Sequence, residues 1–249
     1  VELRARVTAH RIALPEALTL ASLDALASAL DRAAADSTAG VWVLHGSAKG
    51  VFCRGMDLSE LAGMDGDVSQ GPRVFTACLE RLGRAARPTI ALVDGETIGG
   101  GIGLAAACDL VVATPASTFA LPETLFGILP AIVMPVLLER LTPQKARLLA
   151  LAGTKRTAAW AREHELVDDV IEASELGRYE SRAVRDLSRS APRAVVALRS
   201  WVEEIAGLES RKTALARGLA ITAELVNDAS IRETVRRFVE EGQPPWETQ

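Results

Sequence analysis

Two glycine turns carry the residue types that could do chemistry in this chain. The first spans Gly95 to Asp109, GETIGGGIGLAAACD, directly behind the apolar run Thr89-Ile90-Ala91-Leu92-Val93. Gly99, Gly100, Gly101 and Gly103 lack a Cβ, so backbone there can approach another group closely. The small-residue helix that follows leaves unpaired N–H groups at its start, where the helix dipole favours negative charge. The second turn, Phe52-Cys53-Arg54-Gly55-Met56-Asp57, carries a strand through glycine to a helix start at Asp57-Leu58-Ser59-Glu60. Either alone is an ordinary strand-to-helix loop that needs glycine for its geometry. As a pair from neighbouring strands they predict two backbone N–H groups aimed at one carbonyl oxygen. Such an oxyanion hole serves chemistry in which an enolate develops from a thioester.

Other chemistries fit less well. Gly101-Ile102-Gly103-Leu104-Ala105-Ala106 has the G-x-G-x-x-A form of a dinucleotide fingerprint. That motif needs a full helix and then a second strand with an acid at its far end. Here the strand Leu110–Ala113 begins almost at once and Asp109 precedes it, so nicotinamide binding is not expected. No Gly-Lys-Ser/Thr follows the glycines, which removes a P-loop. His10, His45 and His164 lack metal spacing and are expected at the surface or at strand ends. Cys53, Cys78 and Cys108 are odd in number and far apart, which suits neither a disulfide framework nor a zinc site. Asp94 and Glu96 flank Gly95 in a turn, where polar residues are usual. Arg232, Arg236 and Arg237 read as the wet face of the last helix.

The elements that must position the two turns follow from composition and pattern. Hydrophobic residues make up 49% and aromatics 4% of 249 residues, so alanine and leucine fill the core, which suits helices packed on a sheet. A net charge of −4 offers no electrostatic reason to bind nucleic acid or an anionic membrane surface. The uncharged runs near Ile98–Cys108 and Ile128–Leu138 are too short or too proline-broken to span a bilayer, and no signal-peptide pattern is visible. A cytoplasmic α/β protein is expected. Val1 to Leu14 should supply one or two edge strands. Thr19 should cap a helix carrying Leu23, Leu26, Ala27, Leu30 and Ala34 on one face, followed by a buried strand Val41–Leu44. This strand–helix–strand order favours parallel pairing. Asp57 to Gly71 reads as a weakly patterned connection near a ligand mouth, and Val74, Cys78, Leu79 and Leu82 mark a second amphipathic helix. Beyond residue 140 the chain turns almost wholly helical. Starts are expected at Thr142-Pro143, Thr157, Ser174, Pro192 and Ser230, with stops at Gly153 and Gly242, the latter before Pro244-Pro245.

The ordered motifs Phe52-Cys53-Arg54-Gly55-Met56-Asp57-Leu58, Gly95-x-x-x-Gly99-Gly100-Gly101-x-x-Leu104-Ala105-x-x-Cys108-Asp109 and Phe119-x-x-Pro122-Glu123-x-x-x-Gly127 resemble the crotonase (enoyl-CoA hydratase/isomerase) superfamily over nearly the whole chain. The resemblance implies an α/β crotonase (ClpP-like) fold, with repeated ββα units in a spiral core over residues 1–190. A helical C-terminal trimerisation region over 191–249 would follow. It also implies oxyanion donors at the backbone N–H groups of Met56 and Gly100, and a catalytic carboxylate at Glu123. Gly99 and Phe126 then fall among the substrate-binding residues. Arg54 is a candidate to meet a substrate carboxylate or a pantetheine phosphate, a solvated arginine being the plainer alternative.

The departures from the family pattern are informative. Its hydratases use two glutamates, and the first would stand where this chain has Gly103. Its dehalogenases place an aspartate where Ala131 stands. A single carboxylate suffices to move a proton beside a thioester, as double-bond isomerases do. It equally suffices to take the α-proton and then protonate a departing β-hydroxyl. Burial among Phe119, Leu121 and Phe126 should raise its pKa toward neutrality. The run Leu121-Pro122-Glu123-Thr124-Leu125-Phe126-Gly127-Ile128-Leu129-Pro130-Ala131, with Pro135 and Gln144-Lys145-Ala146, is similar to the polyketide β-branching dehydratases, and the Pro-Gly-Ala-Gly-Gly of fatty-acid hydratases is absent after Gly127. That similarity implies dehydration of a 3-hydroxy-3-methylglutaryl group on an acyl carrier protein. A Δ3,Δ2-enoyl-CoA isomerase and a non-catalytic thioester-binding protein are the alternatives. No metal, flavin or nicotinamide is implied. Coenzyme A or phosphopantetheine enters as substrate carrier, and a homotrimer or hexamer is expected.

Overall fold

The computed structural model describes residues 8–63, 67–205 and 210–242. Expectations that fall on residues 1–7 and on Pro244-Pro245 lie outside the described residues. The chain opens with β1 (Thr8–Leu14) and α1 (Leu20–Ala35). Helix α1 starts on a capping box: Thr19 Oγ1 accepts from the Ser22 N–H while Ser22 Oγ accepts from the Thr19 N–H. Leu23, Leu26, Leu30 and Ala33 form its buried face, close to the expected set.

Three strand pairs follow, each leading into helix. The first is β2 (Ala39–Gly46) and β3 (Val51–Cys53), then α2 (Leu58–Gly63) and α3 (Gln70–Gly83). The second is β4 (Thr89–Val93) and β5 (Glu96–Ile98), then α4 (Gly100–Ala106). The third is β6 (Leu110–Ala113) and β7 (Thr118–Ala120), then a 3-10 turn at Glu123–Phe126 and α5 (Val133–Leu138). The remainder is α6 (Pro143–Ala152), β8 (Arg156–Thr157), α7 (Ala158–Glu163), β9 (Asp169–Val170), α8 (Leu176–Leu187), α9 (Pro192–Ile205), α10 (Arg211–Asn227) and α11 (Ala229–Glu241).

The first strand of each pair joins one sheet, ordered β1-β2-β4-β6-β9, and the second joins another, ordered β3-β5-β7-β8. Pairing is parallel throughout except between β7 and β8. This is the repeated ββα spiral, with β1 at a sheet edge as its pattern implies. Strand β4 is buried at all five positions, as a central parallel strand requires. Phe52, Leu79, Ile102, Leu104 and Phe119 belong to the main core. Asp109, the acid of the apparent dinucleotide motif, is a structural tie. Its Oδ2 accepts from the Thr89 N–H at 2.7 Å and the Thr89 hydroxyl at 2.9 Å, and Arg199 pairs with it.

Several expectations need correction. The connection from Asp57 to Gly71 is more structured than its weak pattern implies: it begins with the helix expected at Asp57, α2, capped by Asp57 Oδ1 at the N–H groups of Ser59 and Glu60. Helix α8 starts at Leu176 without a side-chain cap from Ser174, and α11 is capped by Asp228 rather than Ser230. Helix α10, capped by Ser210, carries no starting residue among those singled out in the sequence. The last two helices pack back on the spiral. Leu61, Val68, Phe126 and Ile128 share one cluster with Val226 and Val235, so α10 and α11 close over the α2–α3 side of the spiral.

Candidate functional site

Arg54, Met56, Gly99, Gly100, Glu123 and Phe126 all line one cavity of about 170 Å³. The ends of three strands, β3, β5 and β7, deliver them. Gly55 follows β3 with φ +72°, and a Cβ there would lie 2.7 Å from Ile98 O and 2.9 Å from Gly100 N. Only glycine allows both the left-handed backbone and that approach, so the first turn is pressed against the start of α4. On its other side the Leu18 N–H donates to Gly55 O at 2.7 Å and the Asp57 N–H to Leu18 O at 3.2 Å. The Met56 N–H lies between these anchors and has no hydrogen-bond acceptor among the described residues. The Gly100 N–H, first in α4, likewise has none, whereas those of Ile102 and Gly103 return to Gly99 O. The Met56 side chain is partly exposed.

Glu123 is set by the neighbouring strand. The Gly99 N–H donates to Ala120 O at 2.9 Å, tying the glycine turn to the end of β7. Three residues on, the 3-10 turn begins with Glu123 and ends at Gly127 with φ 73°. Glu123 Oε1 comes so close to Gly99 that a Cβ there would lie 2.9 Å from it, at a backbone φ of +54°. Oε2 is buried and has no hydrogen-bond partner among the described residues. Burial pushes the carboxyl up to about 7, with its own backbone N–H pulling weakly the other way. Phe126 forms the adjacent wall and meets Phe238 edge-on at 4.9 Å between centroids.

The other acids on the cavity wall are committed. Asp57 caps α2, and both Glu60 carboxylate oxygens face the Leu20 N–H at 3.0 and 3.3 Å. Arg54 stands at the rim, its Nε donating to Glu96 at 2.8 Å and its Nη1 to Glu16 at 3.2 Å, while Lys155 also pairs with Glu96. An anion arriving at Arg54 must compete with these carboxylates.

Gly103 accounts for the missing second carboxylate. A Cβ there would meet Val133 Cγ2 at 3.2 Å and Phe75 Cζ at 3.4 Å, so apolar side chains occupy the direction a glutamate would take. Both also line the cavity, as do Leu18 and Thr222. None of these four was singled out from the sequence. Phe75 sits on an amphipathic helix that the apolar spacing does mark. Thr222 had no local signal, because only the return of α10 brings it to the cavity.

Comparison with known proteins finds relatives along most of the chain. The family model described as enoyl-CoA hydratase/isomerase matches residues 5–249. A mevalonyl-coenzyme A hydratase of Aspergillus fumigatus is 33% identical over 78% of this chain and 73% of its own length. The bacillaene synthase dehydratase PksH of Bacillus subtilis is 31% identical over 86% of this chain and 82% of its own. A solved enoyl-CoA hydratase of Mycobacterium avium superposes with a TM-score of 0.77 at 30% identity, over 92% of this chain and 88% of that one. The PksH crystal structure superposes with a TM-score of 0.83 over 96% of each chain; at 24% identity it speaks to the fold.

Proposed function

The chain belongs to the enoyl-CoA hydratase/isomerase family, the crotonase superfamily of enoyl-CoA hydratase-like enzymes, and from that premise we propose that it removes water from a 3-hydroxyacyl thioester. The observation that carries this reading is a buried carboxylate oxygen on Glu123 without a partner among the described residues, in a cavity whose other carboxylates, Asp57 and Glu60, are tied to backbone N–H groups. The thioester carbonyl accepts from the Met56 and Gly100 N–H groups. Ionised Glu123 takes a proton from C2, and the electron pair moves into an enolate held by those two donors. The enolate collapses to a C2–C3 double bond as the C3–O bond breaks. The proton on Glu123 passes to the departing hydroxide, releasing water and restoring the carboxylate. A carboxyl titrating at about 7 can serve in both directions near neutral pH.

We further propose a 3-hydroxy-3-methylglutaryl group on an acyl carrier protein as substrate. Two relatives support this class: a polyketide dehydratase and a hydratase named for mevalonyl-CoA. Mevalonyl and 3-hydroxy-3-methylglutaryl groups share a C3 that bears both a hydroxyl and a methyl. Coenzyme A or phosphopantetheine serves as carrier only, and the proposed steps draw on no further cofactor. Three buried free thiols, Cys53, Cys78 and Cys108, suit the cytoplasmic location we propose.

Incubation with the 3-hydroxy-3-methylglutaryl carrier protein, and separately with the coenzyme A thioester, should give an acyl product lighter by one water. Unchanged mass together with turnover of a 3-enoyl-CoA would replace this reading with double-bond isomerisation by the same carboxylate. Glu123→Gln should lower the dehydration rate at least about a hundredfold, the scale of losing a general acid–base. Full activity in that variant would end the proposal.

A further inference from the structure

Thr222 is buried at 5% exposure and lines the cavity, yet its Oγ1 has no hydrogen-bond partner among the described residues. A threonine inside a helix ordinarily returns its hydroxyl to the carbonyl four residues back. Other helical hydroxyls in this chain do so: Thr76 to Pro72 O, Ser28 to Asp24 O, Ser181 to Gly177 O and Thr234 to Ser230 O, all at 2.9 Å. Thr222 does not. One turn earlier, Gly218 lets α10 pack directly on the cavity wall, since a Cβ there would fall 2.2 Å from Ala131 O. Thr222 lies on the same buried face and meets a largely apolar lining that includes Val68, Phe126, Ile128 and Ile132. An unpaired buried hydroxyl is costly, and valine would fill the same shape without that cost.

Among the described residues, the buried side-chain oxygens without partners that line this cavity belong to Glu123 and Thr222. Glu123 is engaged at C2 and C3 and the Met56 and Gly100 N–H groups at the thioester carbonyl in the proposed reaction, and on that reading the terminal oxygen of the acyl group remains to be matched. We propose that the Thr222 hydroxyl hydrogen-bonds an oxygen beyond C3 of the acyl chain, selecting terminally oxygenated acyl thioesters over plain alkyl ones. The two χ1 rotamers open to a helical threonine allow the hydroxyl to turn toward that oxygen.

The test measures binding by calorimetry in a Glu123→Gln background, where turnover does not interfere. The probes are 3-hydroxy-3-methylbutyryl-CoA, which has no terminal oxygen, 3-hydroxy-3-methylglutaryl-CoA, which ends in a carboxylate, and 3,5-dihydroxy-3-methylpentanoyl-CoA, which ends in a hydroxyl. At least one oxygenated probe should bind about fivefold or more tightly than the plain one, the scale of a single hydrogen bond. Adding Thr222→Val should bring that ratio to about one, and Thr222→Ser should keep it. The identity of the preferred probe tells a terminal carboxylate from a terminal hydroxyl. A preference that survives in the valine variant, or no preference with threonine present, overturns the proposal while leaving the thioester reading intact. No binding of any of the three acyl groups, on coenzyme A or on the carrier protein, would sink both.

Discussion

Glu123 is a carboxyl whose ionisation is set by where the chain buries it, and that gives its behaviour a direction with pH. As the base it must be ionised, so the dehydration rate at saturating substrate should rise with pH and level off above about 7. A rate flat from pH 5 to pH 9 would contradict that role. Stability should move the opposite way. A carboxyl raised from 4.5 to about 7 in the folded state contributes fully below the unfolded value and loses that contribution as pH rises through about 7. Glu123→Gln, neutral at every pH, should therefore stabilise the fold at pH 8, by on the order of 3 kcal/mol, and have little effect near pH 4. Urea unfolding of both proteins at the two pH values measures the difference. Equal shifts at both would show that the carboxyl is not held against ionisation. The site thus gives up stability at neutral pH in return for a carboxyl poised to exchange a proton.

At the scale of elements, the proposed donor pair depends on two turns pressed together. Gly55→Ala places a Cβ within 2.7 Å of Ile98 O and 2.9 Å of Gly100 N at a left-handed φ, so the turn after β3 must move away from α4. We expect a loss of at least about tenfold in kcat with a folded protein, because displacing one oxyanion donor costs on the scale of removing it. Unchanged kcat would show that the contact does not position the donors. Gly103→Glu tests the other side of α4. The new side chain enters space filled by Val133 and Phe75, so the substitution should destabilise by about 1–3 kcal/mol and give no gain in hydration, and adding Val133→Ala should recover part of the stability. Both turns were legible as sequence, because glycines clustered behind an apolar strand weaken a helix start unless the backbone must turn or come close to another group. The strand Thr89–Val93 and the caps at Thr19, Thr142 and Thr157 were legible for a similar reason: their signals are local. What stayed hidden was long-range. Gly103 announced that a carboxylate was missing, but only the meeting of α3, α4 and α5 shows Phe75 and Val133 in its place. Thr222 is separated from Glu123 by most of the helical region, so nothing near it in sequence marks it as part of the cavity.

For the whole molecule, α9 raises a question that a single chain leaves open. Leu198, Trp201, Val202 and Ile205 follow one helical stripe and are exposed at 62%, 55%, 47% and 62%. A stripe that apolar belongs against another surface, since each such side chain gains about 1.5–3 kcal/mol when fully buried. Among the described residues no helix is long and apolar enough to cross a membrane. We propose that copies of this chain cover it, in the homotrimer or hexamer expected from the family resemblance. Sedimentation velocity should then report a species of three or six times the 26.4 kDa chain mass. Leu198→Asp combined with Ile205→Asp places two charges in the stripe and should shift that species to monomer, because an unpaired charge at an apolar interface is strongly disfavoured. The stripe lies on α9, whereas α10 brings Thr222 to the cavity and α11 packs on α2, so the dissociated variant should retain its far-ultraviolet dichroism. A wild-type chain that sediments as a monomer at micromolar concentration, or a variant that keeps the parent's assembly, would remove α9 from the interface.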